Sequence, residues 1–169
     1  QLQPDTPWQE TAWAHTREED LFDYDASPRL CVAALLPFRN GEPDWVSFER
    51  MLAWMTKCAD SFGIKINFVL NADTGYVFNL SHVLYEEVIT RFRSLYPQES
   101  FICGVTAVGD SPTEFDASCY EHHLEIAQAH GPCEVMIMTS QALNVLDVER
   151  RRDAYFKIAE KIEVPALVH

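Results

Sequence analysis

Five short apolar runs begin near residues 30, 64, 101, 134 and 164, at intervals of 34, 37, 33 and 30 residues. No other feature constrains the fold as tightly. Each interval has room for a helix and two connections, and strands joined by such crossovers pair in parallel. The runs read as strands at Leu30–Leu36, Ile64–Leu70, Phe101–Val105, Val135–Met138 and Pro165–Val168. The first, L-C-V-A-A-L-L, is continuously apolar and suits a strand buried on both faces.

The intervals carry helical patterns. Pro37 stops the first strand, and Arg39-Asn40-Gly41-Glu42-Pro43 is turn chemistry. Asp44 is placed to cap a helix whose apolar stripe is Trp45, Phe48, Met51, Leu52 and Met55, with Gly63 at its end. Ser81 opens a second helix with Val83, Leu84, Val88, Ile89, Phe92 and Leu95 at helical spacing, ending at Tyr96-Pro97. A third is expected from Asp110–Glu114 through Phe115, Cys119, Leu124 and Ile126 to Gly131-Pro132. Thr139–Asn144 reads as a polar loop. A fourth helix, Asp147–Ile162, presents Arg150-Arg151-Arg152 as a solvated face. Alternating strand and helix without a Gly-x-Gly-x-x-Gly turn points away from a dinucleotide fold and toward a (β/α) barrel. The expected class is therefore α/β, with this chain covering about strands 1–5 of a (β/α)8 TIM barrel, since a whole barrel takes eight units and about 250 residues. A free-standing five-stranded doubly wound sheet is the alternative.

Residues 1–28 differ from residues 29–169 and read as a separate extension. They hold seven acids against one arginine, with Trp8, Trp13, Leu21, Phe22 and Tyr24. Those aromatics are expected to pack on the domain or on a second subunit, with a disordered leader as the other reading. The whole chain carries 26 acids against 13 Lys plus Arg, a formal charge of −13. Such a balance disfavours nucleic-acid backbones and anionic membranes as partners. No apolar run approaches the roughly 18 residues that cross a bilayer. The amino terminus has neither a basic start nor an apolar core, so no signal peptide is expected, and residue 1, not being Met, is expected to lie inside a longer product. The five cysteines form no C-x-x-C pair. Cys31 and Cys103, inside apolar runs, read as small buried hydrophobes, and reduced thiols imply an intracellular, cytoplasmic setting.

Candidate chemistry centres on Ile66–Ser81, a strand, a polar loop and a helix start. Loops at the carboxyl ends of parallel strands converge on one mouth. Here Asp73 offers a base, Thr74 a hydroxyl donor or relay, and the amides near Gly75 a cradle for an anionic oxygen. Asp and Thr are also ordinary loop residues, so a plain connection is the competing reading. Glu121-His122-His123 reads as surface, because adjacent histidines on a helix point about 100° apart and no third ligand follows at i+3 or i+4. His82 reads the same way, and no metal site is expected. Lys65, Lys157 and Lys161 all fall away from strand carboxyl ends, where a Schiff-base lysine would be needed.

With its loops in place the chain resembles the dihydrodipicolinate synthase / N-acetylneuraminate lyase family of class I aldolases, from about Pro28 to His169. The matching fragments are Ala33-Ala34-Leu35-Leu36-Pro37-Phe38, Asn40-Gly41-Glu42-Pro43-Asp44, Ala72-Asp73-Thr74-Gly75-Tyr76 with Leu80-Ser81, Cys103-Gly104-Val105, and Val164-Pro165-Ala166-Leu167-Val168. The resemblance implies an oligomeric barrel and a lyase or aldolase acting on pyruvate or a related 2-oxo acid. It implies a Schiff-base lysine at the end of the sixth strand and no separate cofactor. Thr74 and Gly75 fit the family's Gly-Thr-Thr-Gly-Glu motif, whereas Asp73 replaces its first threonine and Tyr76 its glutamate. No tyrosine follows the fourth strand, so Ser140 and Gln141 are expected to take over its contacts. The lysine-bearing strand is expected beyond His169, and the chain alone is expected to be inactive, with the carboxyl-terminal half of the barrel as its partner. The alternative is a diverged, non-catalytic member that acts by binding or oligomerisation.

Overall fold

Strand order settles the choice between the two architectures. The computed structural model describes residues 29–72, 77–108 and 113–168. Its main sheet has five strands: β1 (Arg29–Ala33), β4 (Lys65–Leu70), β5 (Phe101–Val105), β6 (Cys133–Ile137) and β7 (Ala166–Val168). They lie side by side in chain order, and every neighbouring pair is parallel. A doubly wound sheet reverses its order at a switch point so that helices cover both faces. Unbroken order with right-handed crossovers puts the helices on one face only, as in a barrel wall. The fold is a partial (β/α)8 barrel.

Four helices fill the crossovers as expected, with shifted limits. In α1 (Trp45–Ser61), Asp44 Oδ1 accepts the Ser47 amide at 3.1 Å, and Phe48 and Leu52 face the core. The chain leaves α1 through Gly63, whose φ of +66° lies in the left-handed region that glycine adopts without strain. In α2 (His82–Leu95), Ser81 Oγ accepts the Leu84 amide at 3.2 Å. The buried stripe of α2 is Tyr85, Val88, Ile89 and Phe92; Val83 points to solvent and is 77% exposed. The third helix starts later than its sequence suggests. Asp116 takes the Ser118 amide and caps a 3-10 turn at Ala117–Tyr120, so α3 runs only over Glu121–Ala129. A short α4 (Gln141–Asn144) occupies the expected polar loop, and α5 (Val148–Ala159) follows its Asp147 cap.

Two further expectations are corrected. The first strand is an edge strand, paired with β4 alone, and Leu30 and Cys31 are exposed instead of buried. The turn after it closes as a small antiparallel pair, β2 (Phe38–Arg39) with β3 (Glu42–Pro43). Arg151 is not part of a solvated face. Its guanidinium donates to the carbonyls of Leu143, Asn144 and Leu146 at 3.0–3.1 Å, satisfying acceptors at the end of α4 and just beyond it.

The sheet's two faces are packed differently. On the outer face, alternate strand residues such as Phe68, Leu70, Phe101 and Cys103 join one core with all the helices except α4's polar end. Phe92 of α2 anchors it, edge-on to Phe68 at 5.6 Å and to Phe101 at 5.5 Å. Each such ring contributes about 2 kcal/mol through burial. On the inner face, Val69, Ala72 and Ile102 form a separate small cluster, with Met136 beside it.

Candidate functional site

The site expected from sequence lies where β4, β5 and β6 end. The ladder continues past the strands there: Ala34 N–H donates to Val69 O and Met138 N–H to Val105 O, both at 2.9 Å. These bonds extend the β1–β4 and β5–β6 pairings by a residue at their carboxyl ends.

Asn71 turns the chain out of β4 with φ +51°, a conformation asparagine tolerates better than most side chains. Its Nδ2 donates to Tyr85 O at 3.0 Å. Its backbone lies against β5 so closely that a Cβ on Gly104 would stand 2.2 Å from Asn71 O. Only glycine fits there, for lack of space and not for its φ.

A buried polar network is built on that contact. Tyr85 Oη donates to Gly104 O at 2.8 Å and lies 3.1 Å from Cys103 Sγ. The Tyr85 ring stacks on His123, with centroids 3.8 Å apart and planes 1° from parallel. His123 Nδ1 accepts the Thr106 amide at 3.4 Å, which leaves the ring proton on Nε2. Burial pushes the Cys103 thiol up to about 12 and the Tyr85 phenol well above its ordinary value. Burial also drives His123 down to about 4, with His82 and His122 adding to the effect. At neutral pH all three groups are uncharged. The network braces the strand ends and offers neither a thiolate nor a general base in the physiological range.

His123 therefore departs from the surface reading, being 1% exposed, whereas His122 and His82 are exposed as expected. The sequence treats His122 and His123 as an adjacent polar pair. The ring stack on Tyr85, from another helix, decides which one goes inside. His82 comes within 4.2 Å of His122, ring to ring. Even so, no three His, Cys, Asp or Glu side chains among the described residues are arranged to hold a metal ion.

Asp73, Thr74 and Gly75, together with Tyr76, lie outside the described residues. Their flanks are described, and they tie the loop at its base: Val77 N–H donates to Ala72 O at 3.3 Å, and both residues are buried. Two strands away, at the same end of the sheet, Ser140 caps α4, its Oγ accepting the Leu143 amide at 3.2 Å. Strand spacing puts the ends of β4 and β6 about 10 Å apart. Capping uses a lone pair of Ser140, so its hydroxyl hydrogen stays available to donate. Gln141 begins α4 and is exposed. Thr139 Oγ1, between β6 and this cap, donates to Asn144 Oδ1 at 2.8 Å.

The chain's lysines are Lys57, Lys65, Lys157 and Lys161. Lys57 and Lys157 are helical, Lys65 stands at the amino end of β4, and Lys161 is ion-paired with Glu121. None stands at a strand's carboxyl end. A cleft of 390 Å³ opens instead near the amino ends of β4 and β6, lined by Lys65, Asn67, Tyr96, Glu99 and Glu134. In barrels that end contributes stability and the opposite end chemistry, so the cleft's size does not make it the site.

Strand order and pairing together define a (β/α) barrel segment, and the loop and helix start singled out from the sequence follow the carboxyl ends of β4 and β6. Solved barrels that it matches include dihydrodipicolinate synthases. That of Acinetobacter baumannii, chloride-inhibited and complexed with pyruvate, aligns at TM-score 0.67 and 21% identity, over 82% of this chain and 44% of that one. That of Thermotoga maritima aligns at 0.66 and 19% identity, over 85% of this chain and 45% of that one. That of Rhodopseudomonas palustris aligns at 0.63 and 23% identity, over 85% and 44%. The chain thus spans less than half the length of these structures. No protein-family model and no curated protein matches it.

Proposed function

We propose that the chain supplies part of the binding mouth of a dihydrodipicolinate synthase-like lyase or aldolase that acts on pyruvate or a related 2-oxo acid. The observation that carries the reading is the match of the parallel, chain-ordered sheet to a barrel solved with pyruvate. In this reading Thr74 and the Gly75 amide bind the substrate carboxylate, and Thr74 relays protons. Asp73 must be protonated or turned away, since an anionic carboxylate there would repel the substrate. Ser140 and Gln141 supply the polar contacts of the absent tyrosine. The electrophile forms when a lysine amine condenses with the 2-oxo carbon and water leaves. No lysine of this chain stands where it could do so, and the proposed lysine follows His169. The partner is then the rest of the barrel, within a cytoplasmic homo-oligomer.

Reduction with borohydride in the presence of pyruvate tests this. The full-length protein should retain a covalent pyruvate adduct by mass spectrometry, and the 169-residue chain should not. An adduct on the 169-residue chain, or none on the full-length protein together with no aldol activity across a pyruvate–aldehyde panel, would overturn it.

The second reading is a diverged family member that binds without catalysing. Two observations favour it: the departures at Asp73 and Tyr76, and a polar network at the mouth held neutral throughout. A lysine at the end of the next strand would decide for the enzyme, and its absence for the binding protein.

A further inference from the structure

The 390 Å³ cleft at the amino end of the sheet is large enough for a small molecule, and the proposed reaction makes no use of it. Its polar lining is rich in acceptors. Asp60 comes from the last turn of α1, Glu99 from the connection before β5 and Glu134 from β6, against one cation, Lys65. Among the described residues none of these four is ion-paired. Asn67 also lines the cleft, and its Oδ1 is shut off from solvent and accepts no hydrogen bond. Tyr96 adds a further acceptor. Thr56 donates its one hydroxyl hydrogen to Leu52 O at 3.0 Å. In the 3.2 Å contact between Thr56 and Tyr96 the Tyr96 hydroxyl is therefore the donor, and its own oxygen is free to accept.

We propose that this cleft binds a small organic dication, a short carbon chain with a primary ammonium at each end. Three carboxylates outnumber the one lysine, so the lining favours positive charge. A buried acceptor is satisfied only by a donor, and an ammonium brings three. An anion would meet the carboxylates at close range and leave Asn67 Oδ1 unpaired. The span calls for two charges. Asn67 and Glu134 stand on β4 and β6, whose backbones are about 10 Å apart, a distance that suits two ammonium groups on one chain. One donates to Asn67 Oδ1 and the other pairs with Glu134, while Asp60, Tyr96 and Glu99 take up their remaining hydrogens. The inference does not depend on the proposed activity, whose substrate is an anion and whose proposed mouth is at the opposite end of the sheet.

Titration of the 15N-labelled chain with 1,4-diaminobutane at physiological ionic strength tests it, with succinate and 1,4-butanediol as the anionic and neutral probes of the same length. Expected are saturable shifts at the amides of 60, 65–67, 99 and 134 with the diamine alone. Asn67→Leu and Glu134→Gln should each weaken binding about tenfold. Lys65→Met should strengthen it several-fold, because a competing cation is gone. Lys65 is exposed and Glu134 only half-buried, so those two variants report even where Asn67→Leu does not fold. Succinate or the diol taking the cleft would overturn the proposal. So would diamine shifts that scatter over the acidic surface without saturating, the mark of an adventitious ion only, or an affinity that Glu134→Gln and Lys65→Met leave unchanged.

Discussion

The two ends of the sheet are held by opposite chemistry. At the carboxyl end the contacts are neutral and close. Gly104 lets the Asn71 backbone touch β5, Tyr85 donates to the Gly104 carbonyl, and His123 stacks on Tyr85 with its ring uncharged. At the amino end one cation gathers the chain. Arg93, over the Phe101 ring at 4.6 Å, donates to the carbonyls of Tyr96, Glu99, His130 and Pro132. Beside it lies a cleft lined by charged side chains. The buried network thus adds no charge at the carboxyl end. The charged end fixes the geometry of the connections at the opposite end of the sheet.

Four substitutions break this contrast, from the largest effect down. Gly104→Val should cost more than about 4 kcal/mol in chemical denaturation or prevent folding, since its side chain collides with backbone that cannot move alone. His123 makes the carboxyl end sensitive to acid. Its pKa is about 4 when folded and 6.5 when free, so the unfolded chain binds the proton first. The stabilisation is complete above pH 6.5 and is lost as pH falls toward 4, by up to about 3 kcal/mol. His123→Phe keeps the stack on Tyr85 and should flatten that part of the stability–pH curve. Arg93→Met should cost about 2–3 kcal/mol by stranding four carbonyls, with little change in the slope between pH 6.5 and 4. Tyr85→Phe should cost about 1 kcal/mol, for one lost hydrogen bond to Gly104.

What could be read from the sequence was local. Asp44, Ser81 and Asp147 cap helices three residues away, and the strand intervals carry the parallel pairing, while the strand order that separates barrel from doubly wound sheet is visible only in the fold. What escaped depends on distant partners. Tyr85 looks like one more residue on a helix until Gly104 and Cys103, 19 and 18 residues on, meet its hydroxyl. His123 is indistinguishable from His122 until Tyr85 stacks on it. Arg151 looks like its two neighbours until the end of α4 comes within reach, and α4 itself is too short to leave a period. Of the candidate site, Ser140 is singled out in the sequence by its place after the fourth strand, while its capping role is visible only in the fold.

The most direct test of the mouth assignment is a pyruvate titration of the 15N-labelled 169-residue chain, read amide by amide. The expected result is saturable shifts confined to the carboxyl end, at 71–75 and 139–141, with no covalent adduct. Shifts centred on the amino-end cleft around Lys65 and Glu134, or none at the carboxyl end, would contradict it.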